Sequence, residues 1–205
     1  MPRIARHIEA NGYYHVISRS INQTWVLRDP EDFARFRTLI REAKGKFPLR
    51  LFHYVLMNTH FHLVLQVITK ELLAQNMAYL KWNYTQWMRK KYKWRGPLWR
   101  ERFKSLPIEN EDYLTSCGIY VEYNPVRAGI CADPVDYRYS SYRAYVLREK
   151  DSLVDEYVSG HEGEKQKDQT YRSEFAKTIF SRALAIGSTA FLNKLKKSEK
   201  CLSQK

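Results

Sequence analysis

The chain has 205 residues, 44% of them hydrophobic, which suits one ordinary domain with a closed core plus an appendage and argues against disorder throughout. Its 35 lysines and arginines against 22 acids leave a formal charge of +13, an imbalance that points to a polyanionic partner, nucleic acid ahead of an anionic membrane surface. No apolar stretch approaches the roughly 20 residues needed to span a bilayer, the start MPRIARHIEANG is too polar for a secretory leader, and Cys117, Cys131 and Cys201 form no CxxC pair, so a cytoplasmic protein with reduced thiols and no membrane partner is expected.

In chain order, Asn11-Gly12 signals a turn before YYHVIS, residues 13–18, which reads as a first strand. Asp29 can cap a helix with Pro30 in its first turn, and Phe33, Phe36, Leu39, Ile40, Ala43 and Phe47 recur at helical spacing behind it. Two strand-like runs, Leu49 to Met57 and His60 to Val67, are separated only by Asn58-Thr59 and predict a β-hairpin. Leu73, Met77, Leu80, Tyr84, Trp87 and Met88 then mark a long helix that stops by Gly96-Pro97. Phe103 to Ile108 predicts a fourth strand whose Pro107 suits an edge or a bulge. The order β-α-β-β-α-β predicts an α+β fold, the ferredoxin-like split βαβ arrangement, with an antiparallel sheet and its helices on one face.

Asn110 suits the N-cap of a further helix, expected to end near Asn124 because Pro125 follows. From about residue 150 the composition changes. Residues 1–150 are therefore read as the main domain and 151–205 as a linker, GHEGEKQKDQT, followed by a helical tail of two short helices broken at Gly187-Ser188.

Strand alternation puts His60 and His62 on one face with Phe61 opposite, so two imidazoles converge without a special loop. Alone, such a pair is as compatible with a hydrogen-bonded surface as with a metal. Four residues apart on the helix after Asn110, Tyr120 and Asn124 share a face. The Asn124 amide oxygen can complete a His-His-Asn metal site, with the Tyr120 phenol beside it as a nucleophile. Tyr120 is also one of 15 tyrosines, and a core aromatic is the plain alternative. A mixed nitrogen and oxygen shell suits a divalent ion, Mg2+ or Mn2+. Between Lys81 and Lys104 lie nine basic residues, one acid and four of the five tryptophans. Lys90, Lys91, Lys93, Arg95, Arg100 and Arg102 are candidates to neutralise phosphates, and Trp94 and Trp99 to stack on unpaired bases. Arg19 and Arg127 follow the first strand and the tyrosine helix and can each bind a phosphate, although either is equally suited to plain surface.

HFHLVL after a strand ending in VLM, followed by YVEYNPVRAG, resembles the REP-associated tyrosine transposases of the HUH superfamily, as do the opening YYHVISRSIN and YRYSSYRAY at 137–145. The resemblance covers roughly residues 1–146. It implies His60 and His62 as the metal-binding pair, Asn124 as the third ligand and Tyr120 as the attacking residue. It further implies cleavage and rejoining of single-stranded DNA beside a hairpin-forming repetitive palindrome through a 5′-phosphotyrosine, without ATP. The region of Arg3 and Arg6 and the tail are implied to read the bases beside the hairpin. Many relatives carry Asn immediately before the first histidine; Thr59 stands there in this chain, with Asn58 before it. Two other readings compete: a non-catalytic nucleic-acid binder on the same fold, such as a repressor or RNA binder, and a hydrolase in which the ion activates water. A monomer or a homodimer is compatible with all three.

Overall fold

The computed structural model describes residues 8–110 and 112–155, together with residues 169, 170, 172, 173 and 176 of the C-terminal region. Arg3, Arg6 and the two expected tail helices lie outside the described residues.

Four strands, β1 (Tyr13–Arg19), β2 (Leu49–Met57), β3 (His60–Val67) and β4 (Lys104–Ile108), form one antiparallel sheet in the order β2-β3-β1-β4. The expected hairpin is β2 and β3, with Met57 paired to His60 across Asn58-Thr59. A register shift between Leu51 and His53 lets β2 turn both Phe52 and His53 into buried positions. Pro107 sits on β4, an edge strand, where a missing N–H costs no ladder bond on the open side.

Helix α1 (Pro30–Lys46) starts as the sequence predicts: Pro30 occupies its first turn and the Asp29 carboxylate accepts the Asp32 amide N–H at 3.0 Å. Helix α2 (Lys70–Tyr92) starts at Thr69, whose hydroxyl accepts the Leu72 N–H, and stops at Lys93, which takes a left-handed conformation. Phe36, Leu39 and Ile40 of α1 and Leu73, Met77, Leu80 and Tyr84 of α2 share one core with Val16, Leu63 and Leu65 of the sheet. Ferredoxin-like order and helix placement are thus as expected.

A third helix, α3 (Asp112–Glu122), covers the opposite face, where Leu114, Cys117, Tyr120 and Val121 join Val55, Met57 and Val64 in a second cluster. The sequence carries this helix on to Asn124, but α3 ends at Glu122 and a separate short helix, α4 (Asn124–Arg127), follows. Pro125 is the cause, because it has no N–H to donate to the Val121 carbonyl, which takes the Asn124 side-chain amide instead.

The chain after α4 runs along the outer edge of β2. Leu56 N–H donates to Tyr139 O at 2.9 Å, Ser141 N–H to Tyr54 O at 3.0 Å and Asp155 N–H to Leu51 O at 2.8 Å, so this segment, which includes α5 (Tyr142–Val146), closes an edge that would otherwise be open. Leu153 is fully buried in the α1 and α2 core, beyond the residue-150 boundary drawn from composition.

Candidate active site

Alternation along β1 and β3 sorts the chemistry onto the α3 face. His60, His62 and Val64 share it with His15, Ile17 and Arg19, and the ladder sets His15 opposite Val64, Ile17 opposite His62 and Arg19 opposite His60. His62 is 2% exposed. Its Nδ1 lies 2.7 Å from Nε2 of His15, the rings stacked with centres 5.0 Å apart, while its own Nε2 is buried without a hydrogen-bond partner. Nδ1 of His60 is 2.9 Å from the Thr59 hydroxyl. In both imidazoles, therefore, Nδ1 is engaged and Nε2 is left over. The Thr59 hydroxyl thereby orients the His60 ring.

Both imidazoles are held neutral. Burial, and then the Arg19 guanidinium, push His60 down to about 4; burial pushes His62 well below its ordinary value, with His15, His60, Arg19 and Arg127 adding to it. A neutral imidazole with a spare Nε2 is the form that ligates a metal.

Tyr120 reaches this face from α3. It is 9% exposed, meets His15 edge-on with ring centres 6.0 Å apart, and carries the Arg127 guanidinium 4.7 Å from its ring centre. Its height over the sheet depends on Gly118. A Cβ there would stand 2.4 Å from atoms of the His53 ring, so only glycine lets α3 come this close. Behind the helix, the fully buried Glu122 carboxylate meets His53 Nδ1 at 2.9 Å, the Ser141 hydroxyl and the fully buried Arg172. This network fastens α3 to β2 and to the C-terminal region.

Asn124 is the first residue of α4, two positions past the end of α3. Its side-chain N–H groups donate to the Tyr120 and Val121 carbonyls at 3.0 and 2.9 Å, which turns the amide oxygen away from the helix. No group of three or more His, Cys, Asp or Glu suited to a metal occurs among the described residues, so a metal here requires oxygen from Asn124, DNA or water besides the two histidines. The donor set fits a hard divalent ion.

The candidate DNA contacts divide. Arg19, Arg100 and Arg102 line a hollow of about 120 Å³ with Ile17, Glu101 and Lys104. Lys90, Lys93 and Arg95 are exposed, and Trp94 is partly buried against the core. Trp99 is partly buried against the same core: its ring packs against Phe36 and Phe61, and its N–H donates to Lys81 O and Thr85 Oγ1 at 3.2 Å each. Lys91 is committed to Asp29, Glu31 and Asp32 at 2.8 to 3.0 Å. For Trp99 and Lys91 the structural role displaces the one read from the sequence. His15, Gly118, Glu122 and Arg172 were not singled out. A lone histidine in a strand, or an arginine after a polar stretch, carries no local signal.

A basic chain with a split βαβ sheet that gathers imidazoles and a phenol on one face belongs to the class of DNA-processing enzymes. A family model described as "Transposase IS200 like" matches residues 9–124, more than half of the chain, from ahead of β1 to Asn124. The chain belongs to the IS200-like transposase family. It is similar to a REP-associated tyrosine transposase of Haemophilus influenzae, with 27% identity over 125 residues, 56% of this chain and 70% of that protein. The solved structure of a REP-associated tyrosine transposase bound to a REP hairpin overlays with a TM-score of 0.62 at 17% identity, across 78% of this chain and 100% of that one, which establishes the shared fold. Among the described residues, no helix is long and apolar enough to cross a membrane.

Proposed function

We propose that the protein cleaves and rejoins single-stranded DNA beside REP-like hairpins, with Tyr120 as nucleophile and a divalent ion, Mg2+ or Mn2+, held by His60, His62 and Asn124. The observation that carries this reading is the buried, unpartnered Nε2 of His62, next to His60 on the same face and in contact with His15, the ring that meets Tyr120. A buried nitrogen left without a partner costs about 1–3 kcal/mol and is retained where a ligand satisfies it. The bound ion would supply charge neutralisation at the phosphate and at the departing oxygen.

In the reaction, the phenolic oxygen of Tyr120 bonds to phosphorus as the bond from phosphorus to the 3′ oxygen breaks. The phenol proton leaves to water, and the departing 3′ oxygen gains one. The products are a 5′-phosphotyrosine and a 3′ hydroxyl, and attack by that hydroxyl restores the DNA and the phenol without external energy. Arg127, with its guanidinium 4.7 Å from the centre of the Tyr120 ring, places a positive charge beside the attacking residue, where it would meet the phosphate.

The test is incubation with labelled hairpin-bearing single strands from the flanks of the protein's own gene, with Mn2+ or Mg2+, followed by denaturing gels. The wild type should form a covalent adduct, and Tyr120→Phe should lose it, with cleavage reduced on the order of 10³-fold or more. Cleavage without an adduct would support a water-activating hydrolase. Tight binding without cleavage with either metal would support a non-catalytic binder.

A further inference from the structure

The hollow beside the histidines is built differently from the rest of the basic surface. Arg19 stands opposite His60 on one side of β1, and on the other Ile17 stands opposite Lys104 of β4. Neighbouring strands are about 4.8 Å apart, so the hollow opens one strand's width from the imidazoles. Arg100 is tied there by its own N–H, which donates to Arg19 O at 3.0 Å, next to the bridge between Ser20 and Trp99. The partly buried Trp99 ring packs against the core through Phe61 and anchors the loop that carries Arg100 and Arg102 at the sheet edge. That anchoring explains a tryptophan amid so many charges.

We propose that this hollow is a phosphate site, and that it takes the phosphodiester of the DNA strand neighbouring the one held at His60 and His62. The assignment rests on the DNA-cleaving reading above and adds a subsite to it. Three guanidiniums and one ammonium converge on the space, against the single carboxylate of Glu101, 3.6 Å from Lys104. Among the described residues, Arg19, Arg100 and Arg102 have no ion-pair partner. Gathered like charges repel one another unless an anion answers them. The volume of about 120 Å³ falls well below the roughly 300–1,000 Å³ of pockets that enclose whole small molecules and suits a phosphate group.

A larger hollow of about 570 Å³ between α1 and residues 138–151 is also basic, but three of its four arginines are already occupied. Arg37 pairs with Asp151, Arg143 with Glu149, and Arg41 donates to the Ser152 hydroxyl. Those side chains fasten the segment along β2; the smaller hollow's arginines fasten nothing.

The experiment is a neutral-linkage scan by fluorescence anisotropy, using full-length Tyr120→Phe protein in EDTA and hairpin-bearing single strands that carry one methylphosphonate, moved linkage by linkage. Binding should weaken about tenfold at one or two linkages adjoining the cleavage position. Adding Arg102→Gln and Lys104→Gln should weaken binding to the unmodified strand, lower the salt slope by about 1–2, and abolish the penalty at those linkages. Both side chains are exposed, so the thermal midpoint should not move. A penalty that persists in the double variant, or one spread evenly along the strand, overturns the proposal. If the scan is positive but wild-type protein never cleaves, the cleavage reading fails and the anion site stands as a binding feature. If the wild type cleaves but the scan is flat, only the subsite fails. No binding to any strand overturns both.

Discussion

On the face covered by α1 and α2, the two central strands present Tyr14, Val16, Leu63 and Leu65; on the face covered by α3, the same strands present His15, Ile17, His60 and His62. One residue's offset separates the two sets. The first face is closed by rings and aliphatics, with Phe36 at its centre against Phe61 and Tyr84. The second buries three imidazoles, counting His53, and a carboxylate. Apolar packing tolerates no water and needs no partners, whereas buried polar groups demand a full set of hydrogen bonds or a ligand. The sheet thus carries stability on one side and chemistry on the other, and the two sides should fail in different ways.

The largest effects come from breaking each face by its own rule. Phe36→Ala opens a cavity in the α1 and α2 core and should cost about 3–5 kcal/mol in urea unfolding. Arg172→Met removes no more volume, yet it strands the Glu122 carboxylate between His53 and Ser141 and should cost about 3–5 kcal/mol as well. Combining Arg172→Met with Glu122→Gln should recover a large part of that loss. No second substitution on the α3 face should rescue Phe36→Ala. A loss below about 1 kcal/mol for Arg172→Met would show that the C-terminal region does not hold α3 in place.

Next in size is the response to acid. Burial holds His53, His60 and His62 below the ordinary imidazole pKa, His60 at about 4. Between the folded and unfolded values the unfolded chain binds more protons. The contribution of these groups is therefore complete above about pH 6.5 and is lost as the pH falls from there towards 4. Each imidazole that stays neutral adds a slope approaching ~1.4 kcal/mol per pH unit in that window. Chemical denaturation of the metal-free protein between pH 7.5 and 4.5 should show this loss. A flat profile would mean that the α3 face admits protons without opening. Among the described residues, the buried histidines are His15, His53 and His62, none of them in the α1 and α2 core.

The contrast between the faces also decides what the sequence discloses. The hairpin from Leu49 to Val67 was legible to the residue, because a two-residue turn between alternating runs leaves one register. The cap at Asp29 and the edge position of Pro107 were legible for similar local reasons. His60, His62 and Tyr120, which local pattern singles out, lie on the α3 face of the sheet. Hidden were residues whose role arises only from pairing distant segments. His15 meets His62 across 47 positions, and Arg172 meets Glu122 across 50. Composition misled where charge and rings face inward or pair laterally: Trp99 is an anchor, and Lys91 closes an acidic cluster at the start of α1. Gly118 gave no turn signal because its function is close approach within a helix.

The smallest expected effect tests whether His15 belongs to the site or only to the packing around it. For His62 to offer Nε2 to a cation, its Nδ1 must carry the proton, and Nε2 of His15 at 2.7 Å is placed to accept it. His15→Phe keeps the bulk and the edge contact with Tyr120 but removes that acceptor. Mn2+ affinity, measured by calorimetry, should fall about 10–100-fold. His15→Gln, which keeps an amide oxygen in reach, should restore part of the affinity. A packing role would predict the reverse order, because Phe fills the space of imidazole better than Gln does. Nitrogen NMR of His62 separates the two accounts without any metal: its Nε2 tautomeric signature should shift in His15→Phe and return towards wild type in His15→Gln. If both variants bind Mn2+ as the wild type does, the His15 contact is packing alone, and the orientation of His62 must come from β3 itself.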